Sequence, residues 1–438
     1  MTYFQLYPHC YLVYGSSHNA IFDIFQERVF WLNDPIFEEV VKLLEGGKSL
    51  EEICQDICED FTKIQAFVTL LQSLDYGAYQ PRPCYPEKFR PAILTGQEET
   101  FTLHRPLSCA VIELTSICSL QCSFCGFCNG WATKLCACGK WDFDRENVFY
   151  DYPRLVSELA TYGCKQLHIQ GGDPFLEKET LHSLINAAID KKLKVSVLSP
   201  GVGLTKNDIR LIGDTGLELV VPIFGADAET HDSTTGISGS FEEVTDLIRR
   251  KSINLTVKLM LTNDTIHQRD SIMEYLTGYG LQQIAVDVFV SFDNSVNLNK
   301  PEVDAILKLF KRAPRDFSSS IESFFRLSKG NECWQDKIAI TRSGDVLPCI
   351  ASRQHVIGNV NLESLLNILR SKSRFAIRDG GKDSFAPCSG CEFRYGCSTC
   401  SLATEKIFGS WRNKSWNCTY NPLSGEWGIP SKSISEHK

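Results

Sequence analysis

Ser116-Ile-Cys-Ser-Leu-Gln-Cys-Ser-Phe-Cys-Gly126 places Cys118, Cys122 and Cys125 in a CxxxCxxC run. It follows an apolar strand pattern, Cys109-Ala-Val-Ile-Glu-Leu-Thr115. Three thiolates so close on one loop suit a cubane iron–sulfur cluster, which normally takes four cysteines. Three leave one iron open, and an open coordination position is where a metal site does chemistry. Phe124 adds an aromatic face beside the last cysteine. A zinc knuckle or three buried thiols are the alternatives; buried thiols are common, but not at this spacing after a strand.

Outward from this loop, from about 105 to 300, the chain alternates strand and helix. The strands expected are Ala110–Leu114, Gln166–Gln170, Val195–Ser199, Leu217–Pro222, Asn254–Leu261 and Gln283–Val290, each short and rich in β-branched or apolar residues. Helices are expected near Tyr152–Tyr162, Glu177–Lys191, Lys206–Thr215, Ser240–Lys251 and Thr265–Gly278. Such alternation argues for an α/β fold with a parallel sheet and crossover helices. The pattern alone allows either a barrel or a doubly wound sheet. The second strand ends in Gly171-Gly-Asp-Pro174, where paired glycines permit a close backbone approach.

The cysteine spacing and its aromatic together resemble the signature of radical S-adenosylmethionine (SAM) enzymes. The resemblance implies a partial (β/α)6 TIM-type barrel with its chemistry at the C-terminal ends of the strands. Cys118, Cys122 and Cys125 follow the first strand, as that rule demands. They would hold a SAM-binding 4Fe–4S cluster. Gly171-Gly172-Asp173-Pro174 resembles the family's GGEP, which holds the methionyl amine of SAM. Aspartate here replaces glutamate, one methylene shorter, so the backbone contacts carry more of that expectation than the side chain. Ser199, after the third strand, is a candidate ribose contact. Phe224–Asp232 and Thr235–Phe241 resemble the segment after the fourth strand in peptide-modifying members, and His231 reads there as a loop-fixing residue at least as well as a catalytic one.

A second set of cysteines lies in the last hundred residues: Cys333, Cys349, Cys388, Cys391, Cys397, Cys400 and Cys418. This set resembles the seven-cysteine SPASM extension, which carries two auxiliary 4Fe–4S clusters. Carried over by position, Cys333, Cys349 and Cys400 would belong to the first, and Cys388, Cys391, Cys397 and Cys418 to the second. The family usually has three residues between the last close pair; here there are two, Ser398 and Thr399, and the first auxiliary cluster lacks a nameable fourth ligand. Zinc is the alternative for this region. Cys128, Cys136 and Cys138, after the first motif, are not explained by the family pattern and receive no role.

The first 80 residues read as a small module. Cys10–Tyr14, Ala20–Phe25 and Arg28–Leu32 are expected strands. Asp34-Pro35 opens a helix over Ile36–Leu44, Ser49-Leu-Glu-Glu52 is a capping box, and Thr62–Leu74 has helical apolar spacing. This order resembles the winged-helix-like precursor-recognition element of enzymes that modify ribosomally made peptides. Glu51, Glu52, Asp56, Glu59 and Asp60 form an acidic face, either simply solvated or attractive to a basic leader segment. Pro81, Pro83, Pro86 and Pro91 read as a linker. The expected division is a module at 1–80, a linker at 81–104, the barrel at 105–325 and the SPASM extension at 326–438.

At 438 residues, 43% of them hydrophobic and 22% charged, the chain has the make-up of a globular protein with two or three domains. A net charge of −8 excludes a general affinity for nucleic acid. No secretory pattern or run of about 18 apolar residues stands out, so a cytoplasmic location without membrane attachment is expected. In a reducing compartment 19 cysteines are not a disulfide scaffold, and their clustering reads as metal ligation. The resemblance implies an oxidoreductase acting on a precursor peptide through a 5′-deoxyadenosyl radical. A thioether or carbon–carbon crosslink is the expected product, with flavodoxin or ferredoxin as electron donor. The rivals are a maturase of the anaerobic sulfatase-maturing kind, acting on a protein side chain, and a non-catalytic iron–sulfur electron-transfer protein.

Overall fold

A computed structural model of the chain describes residues 1–91, 107–122, 130–132, 151–250, 253–261, 265–281, 284–291, 314–331, 333–415 and 418–428. It divides into two compact units that do not follow chain order. One joins Met1–Thr102, Phe310–Glu332 and Arg378–Lys438; the other joins Leu103–Leu309 and Cys333–Ile377.

The first unit opens with β1 (Tyr3–Leu6), β2 (Cys10–Tyr14), β3 (Asn19–Asp23) and β4 (Arg28–Leu32). Then come α1 (Pro35–Glu45), α2 (Leu50–Ile57), α3 (Phe61–Ser73) and β5 (Gly77–Gln80). Asp34 caps α1 by accepting from the Ile36 N–H at 2.8 Å. Ser49 and Glu52 form the expected capping box on α2. β2, β3 and β4 make an antiparallel sheet, while β1 pairs antiparallel with β5. These last two strands, four residues each, are too short to show a period. β3 ends at Asp23 rather than Phe25 because the Asp23 carboxylate accepts from the N–H groups of Phe25 and Gln26.

β3 is buried along its whole length. Ile21 faces α1–α3 together with Leu32, Val40, Leu50 and Phe67. Ala20 and Phe22 face the other way, onto Phe324 of the helix Ile321–Lys329. Nearby, Trp31 packs in a cluster with Phe317, Phe393, Tyr420, Cys391, Cys397 and Cys418. The N-terminal sheet and the cysteine-rich segment therefore share one core. The proline segment after β5 has no regular structure, yet it is tied down. The Phe89 N–H bonds to the Pro8 carbonyl at 2.9 Å, and Lys88 reaches the Cys10 carbonyl at 2.8 Å. Each acidic residue expected on the α2 face has an intramolecular partner. Glu51 accepts from the Thr2 N–H, Glu52 serves the capping box, and Asp60 caps α3. Asp56 pairs with Lys48, and Glu59 with Lys63.

The second unit holds β6 (Cys109–Thr115), β7 (Gly130–Ala132), α4 (Tyr152–Thr161), β8 (Gln166–Gly171), α5 (Lys178–Asp190), β9 (Lys194–Leu198), α6 (Lys206–Thr215), β10 (Glu218–Ile223), α7 (Ala228–Thr235), α8 (Ser240–Arg249), β11 (Leu255–Leu261), α9 (Arg269–Gly278) and β12 (Ile284–Ser291). β13 (Lys337–Ile340), β14 (Asp345–Leu347) and β15 (Gly358–Asn359) complete its sheet. The strand order is β15-β14-β13-β6-β8-β9-β10-β11-β12-β7. β6, β8, β9, β10, β11 and β12 are parallel neighbours in chain order. The two outer strands of this run pair with β13 and β7 instead of with each other, so the barrel is partial. Parallel strands covered on both faces read as continuous apolar runs, and all six expected strands form. α7 was not expected as a helix because Ala-Glu-Thr-His-Asp-Ser-Thr-Thr carries little apolar periodicity. Asp227 starts it by accepting from the Thr230 N–H at 2.8 Å, and Gly236, at φ +71°, ends it.

Candidate active site

The loop bearing Cys118 and Cys122 leaves the C-terminal end of β6 and is braced from two sides. The Gly172 N–H donates to the Thr115 carbonyl at 2.8 Å, and the Asp173 N–H to the Ile117 carbonyl at 2.6 Å. A Cβ on Gly171 would lie 2.2 Å from the Thr115 oxygen; one on Gly172 would lie 1.9 Å from the Ile117 oxygen. On this side the close approach that requires the glycines is made by the loop's own backbone. On the other side the Gln121 N–H donates to the Thr235 carbonyl at 2.8 Å, where α7 ends. The Leu120 N–H points at the Cys118 sulfur at 3.4 Å, a contact that favours a thiolate. Cys125 and Phe124 lie outside the described residues, as do Cys128, Cys136 and Cys138.

Asp173 is 1% exposed and binds three segments together. Its carboxylate accepts from Ser199 Oγ at 2.9 Å, from the Phe175 N–H at 3.2 Å and from Ser119 Oγ at 3.3 Å. Burial raises its pKa above the usual carboxylate range, while the Ser199 hydrogen bond opposes the shift. Ser199 Oγ also accepts from the Gly201 N–H at 3.2 Å. Pro174 opens a short 3-10 turn, Pro174–Leu176. The structure thus brings Asp173 and Ser199 into direct contact, with Ser119 of the cluster loop as a third partner.

Sequence reading missed the ion pairs beneath this loop. Glu113, 3% exposed, accepts from Arg353 through both carboxylate oxygens and from the Arg342 N–H at 3.4 Å. The Arg342 guanidinium reaches Ser116 Oγ at 3.4 Å and Glu177 at 3.9 Å. A glutamate inside an apolar strand is the one available signal, since a buried carboxylate needs a partner. His231 lies in α7 and fixes the segment that follows β10. Its Nδ1 accepts from the Phe224 N–H at 3.2 Å, and burial pulls its pKa down to about 4.

In the other unit, Cys388, Cys391, Cys397 and Cys418 line one small recess, together with Lys382, Arg394, Lys414 and Tyr420. Burial, with Cys397 next, pushes the Cys388 thiol up to about 12; burial, again with Cys397 next, drives Cys391 well above its ordinary value. Thiols so packed do not ionise together without a cation, whereas a bound metal deprotonates them. Four soft donors around one recess fit a closed 4Fe–4S cluster. Cys333 and Cys349 belong to the barrel unit. Cys400 belongs to the other, at the start of the helix Ser401–Phe408.

A cysteine-bearing loop at the C-terminal mouth of a parallel partial barrel, with a second cysteine site elsewhere, defines an iron–sulfur enzyme architecture. The radical SAM superfamily model matches residues 112–276, and the SPASM iron–sulfur cluster-binding domain matches residues 333–392. The chain belongs to the radical SAM enzymes with a SPASM extension, and its cofactors are 4Fe–4S clusters and SAM. It is similar to the PqqA peptide cyclase of Bradyrhizobium diazoefficiens, 24% identical over 74% of this chain and 88% of that one. It is also similar to the AdoMet-dependent heme synthase of Methanosarcina barkeri, 21% identical over 71% and 95%. The structure of Streptococcus suis SuiB bound to precursor peptide SuiA aligns over 99% of this chain and 100% of that chain, at 14% identity and a TM-score of 0.52. No helix among the described residues is long and apolar enough to cross a membrane.

Proposed function

We propose that this enzyme modifies a ribosomally synthesised precursor peptide, forming a thioether or carbon–carbon crosslink. The observation that carries the reading is the four-cysteine recess, which would hold a cluster in addition to the one on the barrel loop. A crosslink removes two hydrogens from the substrate. One leaves as an atom to the adenosyl carbon of SAM; the other leaves as a proton, and its electron needs an acceptor. A closed cluster serves that acceptor role without binding substrate. The peptide-cyclase name of one relative and the precursor peptide in the SuiB structure support the substrate class.

Cys118, Cys122 and Cys125 would hold the SAM-binding cluster, which with SAM supplies hydrogen-atom abstraction from unactivated carbon. Gly171, Gly172 and Asp173 hold the loop that carries those thiolates. Phe124, Pro174 and Ser199 complete the SAM side of the site in this proposal. Cys333, Cys349 and Cys400 are proposed for the other auxiliary cluster on their motif alone. Residues 1–80 are proposed to hold the leader segment, raising the local concentration of the core peptide. A reducing cytoplasm suits so cysteine-rich a chain, with flavodoxin or ferredoxin delivering electrons.

The test is anaerobic reconstitution with iron, sulfide, a low-potential reductant such as reduced flavodoxin, SAM and a precursor peptide encoded by any short open reading frame found beside the gene. The expected result is loss of two hydrogens from the peptide, matched to 5′-deoxyadenosine. Release of 5′-deoxyadenosine with the peptide mass unchanged overturns the substrate assignment.

A further inference from the structure

Among the described residues, several polar side chains on the inner face of the barrel pair with one another, and one carboxamide there does not. The inner face can be traced from Gly201, where a Cβ would lie 3.0 Å from both Val221 and Leu247 of α8. Val221 therefore points toward the helices, and its neighbour Val220 points inward. The register pairs Val220 with Leu198, Glu218 with Ser196, Ser196 with His168, and Gln170 with Glu113. Glu218, Ser196, His168, Gln170 and Glu113 thus share the inner face. His168 hydrogen-bonds Ser196, Glu218 accepts from Thr256, and Glu113 holds Arg353. Gln170, 1% exposed, has no partner for either its Oε1 or its Nε2.

A buried carboxamide with both ends unmatched is costly, because it loses its hydrogen bonds to water and gains none. Its place is informative. Gln170 is the last residue before Gly171-Gly172, so it lies at the level from which the cluster loop is braced. We infer that the Gln170 amide contacts a peptide group of the substrate inside the barrel and fixes which substrate hydrogen faces the cofactor. This rests on the peptide-modifying reading above. The group it takes is set by its chemistry. A carboxamide offers one acceptor and one donor arm, and a peptide bond returns one of each. A carboxylate would face the amide oxygen without a donor, and an ammonium would face the NH₂ without an acceptor. The adjacent Glu113 charge is already taken by Arg353.

The experiment compares reconstituted wild type with Gln170→Leu and Gln170→Glu, using the peptide from the adjacent short open reading frame and a copy of it deuterated at carbon. Leucine removes both arms at similar volume; glutamate keeps the shape and removes the donor. Both variants should retain iron content and SAM affinity. The ratio of crosslinked peptide to 5′-deoxyadenosine should fall by about 10- to 30-fold in Gln170→Leu, as expected for losing two hydrogen bonds, and by a smaller factor in Gln170→Glu, and deuterium transfer into 5′-deoxyadenosine should fall with it. The leucine variant should melt no lower than wild type, since it relieves an unmatched polar burial. An unchanged ratio in both variants overturns the inference and leaves Gln170 a site for buried water. Loss of SAM affinity overturns it in favour of a cofactor contact. If wild type leaves the peptide unmodified, the substrate reading has failed, and that is seen before any variant is compared.

Discussion

Replacing Gly172 by alanine tests whether the turn after β8 sets the position of the cluster loop. The added Cβ would sit 1.9 Å from the Ile117 oxygen and 2.4 Å from its carbonyl carbon, both backbone atoms that no rotamer change can clear. Ordinary contact begins at 3.4 Å, so the loop must withdraw by roughly 1.5 Å, the difference between 3.4 and 1.9 Å. Withdrawal also stretches the hydrogen bonds from the Gly172 and Asp173 N–H groups to Thr115 and Ile117. Overpacking of this kind costs about 1–3 kcal/mol, and two hydrogen bonds add about 1 kcal/mol each. A domain with about 5–15 kcal/mol of stability tolerates that sum, so the chain should still fold with Cys118 displaced. A misplacement near 1 Å can cost about 100-fold in rate. The expected outcome is selective loss of the SAM-binding cluster, read as iron content and electron paramagnetic resonance. SAM cleavage should fall by about 100-fold, while the cluster on Cys388, Cys391, Cys397 and Cys418 persists. Gly213→Ala is the control. It lies inside α6 with nothing within 4 Å of the new Cβ and should raise stability by about 0.5–1 kcal/mol. Full iron loading and normal SAM cleavage by Gly172→Ala would refute the argument that this glycine seats the loop.

Cys391→Ala should lower thermal stability and remove one cluster's iron together; unchanged iron content would show that Cys391 is not a ligand. Arg353→Met leaves the Glu113 carboxylate buried without its bidentate partner and should cost about 3–5 kcal/mol, measured by denaturant unfolding; a cost below 1 kcal/mol would dismiss the ion pair as a support of the site. His231 has a folded pKa near 4 against an ordinary 6.5. Its contribution is therefore full above pH 6.5 and is lost as pH falls toward 4, so at pH 5 the barrel should lose about 2 kcal/mol relative to neutral pH. His231→Gln should flatten that part of the profile, and an identical pH profile would show that another group dominates. Deleting residues 1–80 should cost iron at the Cys388–Cys418 recess as well as peptide modification, because Trp31 packs with Cys391, Cys397 and Cys418; iron content equal to that of the full chain would show that the recess stands alone.

What could be read from the sequence divides by the range of the interaction. β8, β9, β10 and β11 were legible because strands in a two-sided parallel sheet are local apolar runs, and the grouping of Cys388, Cys391, Cys397 and Cys418 was legible because three of the four lie close together in sequence. The supports of the loop were not. Gly172 meets Ile117, and Glu113 meets Arg353 across 240 positions, contacts that no window of sequence contains. The standing of the N-terminal module shows the same limit, although a trace of it was present. Ala20-Ile21-Phe22 is apolar without alternation, the mark of a strand covered on both faces. A free-standing module with three helices on one side of its sheet would leave the other face polar.

The cover on that second face is the helix Ile321–Lys329 with Tyr395, and beside it Trp31 packs with Cys391, Cys397 and Cys418. The Trp31 Nε1–H donates to Glu392 Oε1 at 2.9 Å, and the Tyr420 hydroxyl donates to the same oxygen at 2.5 Å. Glu392 follows Cys391 directly and is fully buried, where leaving a carboxylate without these donors would cost several kcal/mol. The N-terminal strand therefore supplies a hydrogen bond that the cysteine-rich segment needs in order to bury the Glu392 carboxylate. In this chain the N-terminal sheet is packed against the cysteines of the four-cysteine recess, which is a stronger constraint on its surface than leader recognition alone would impose.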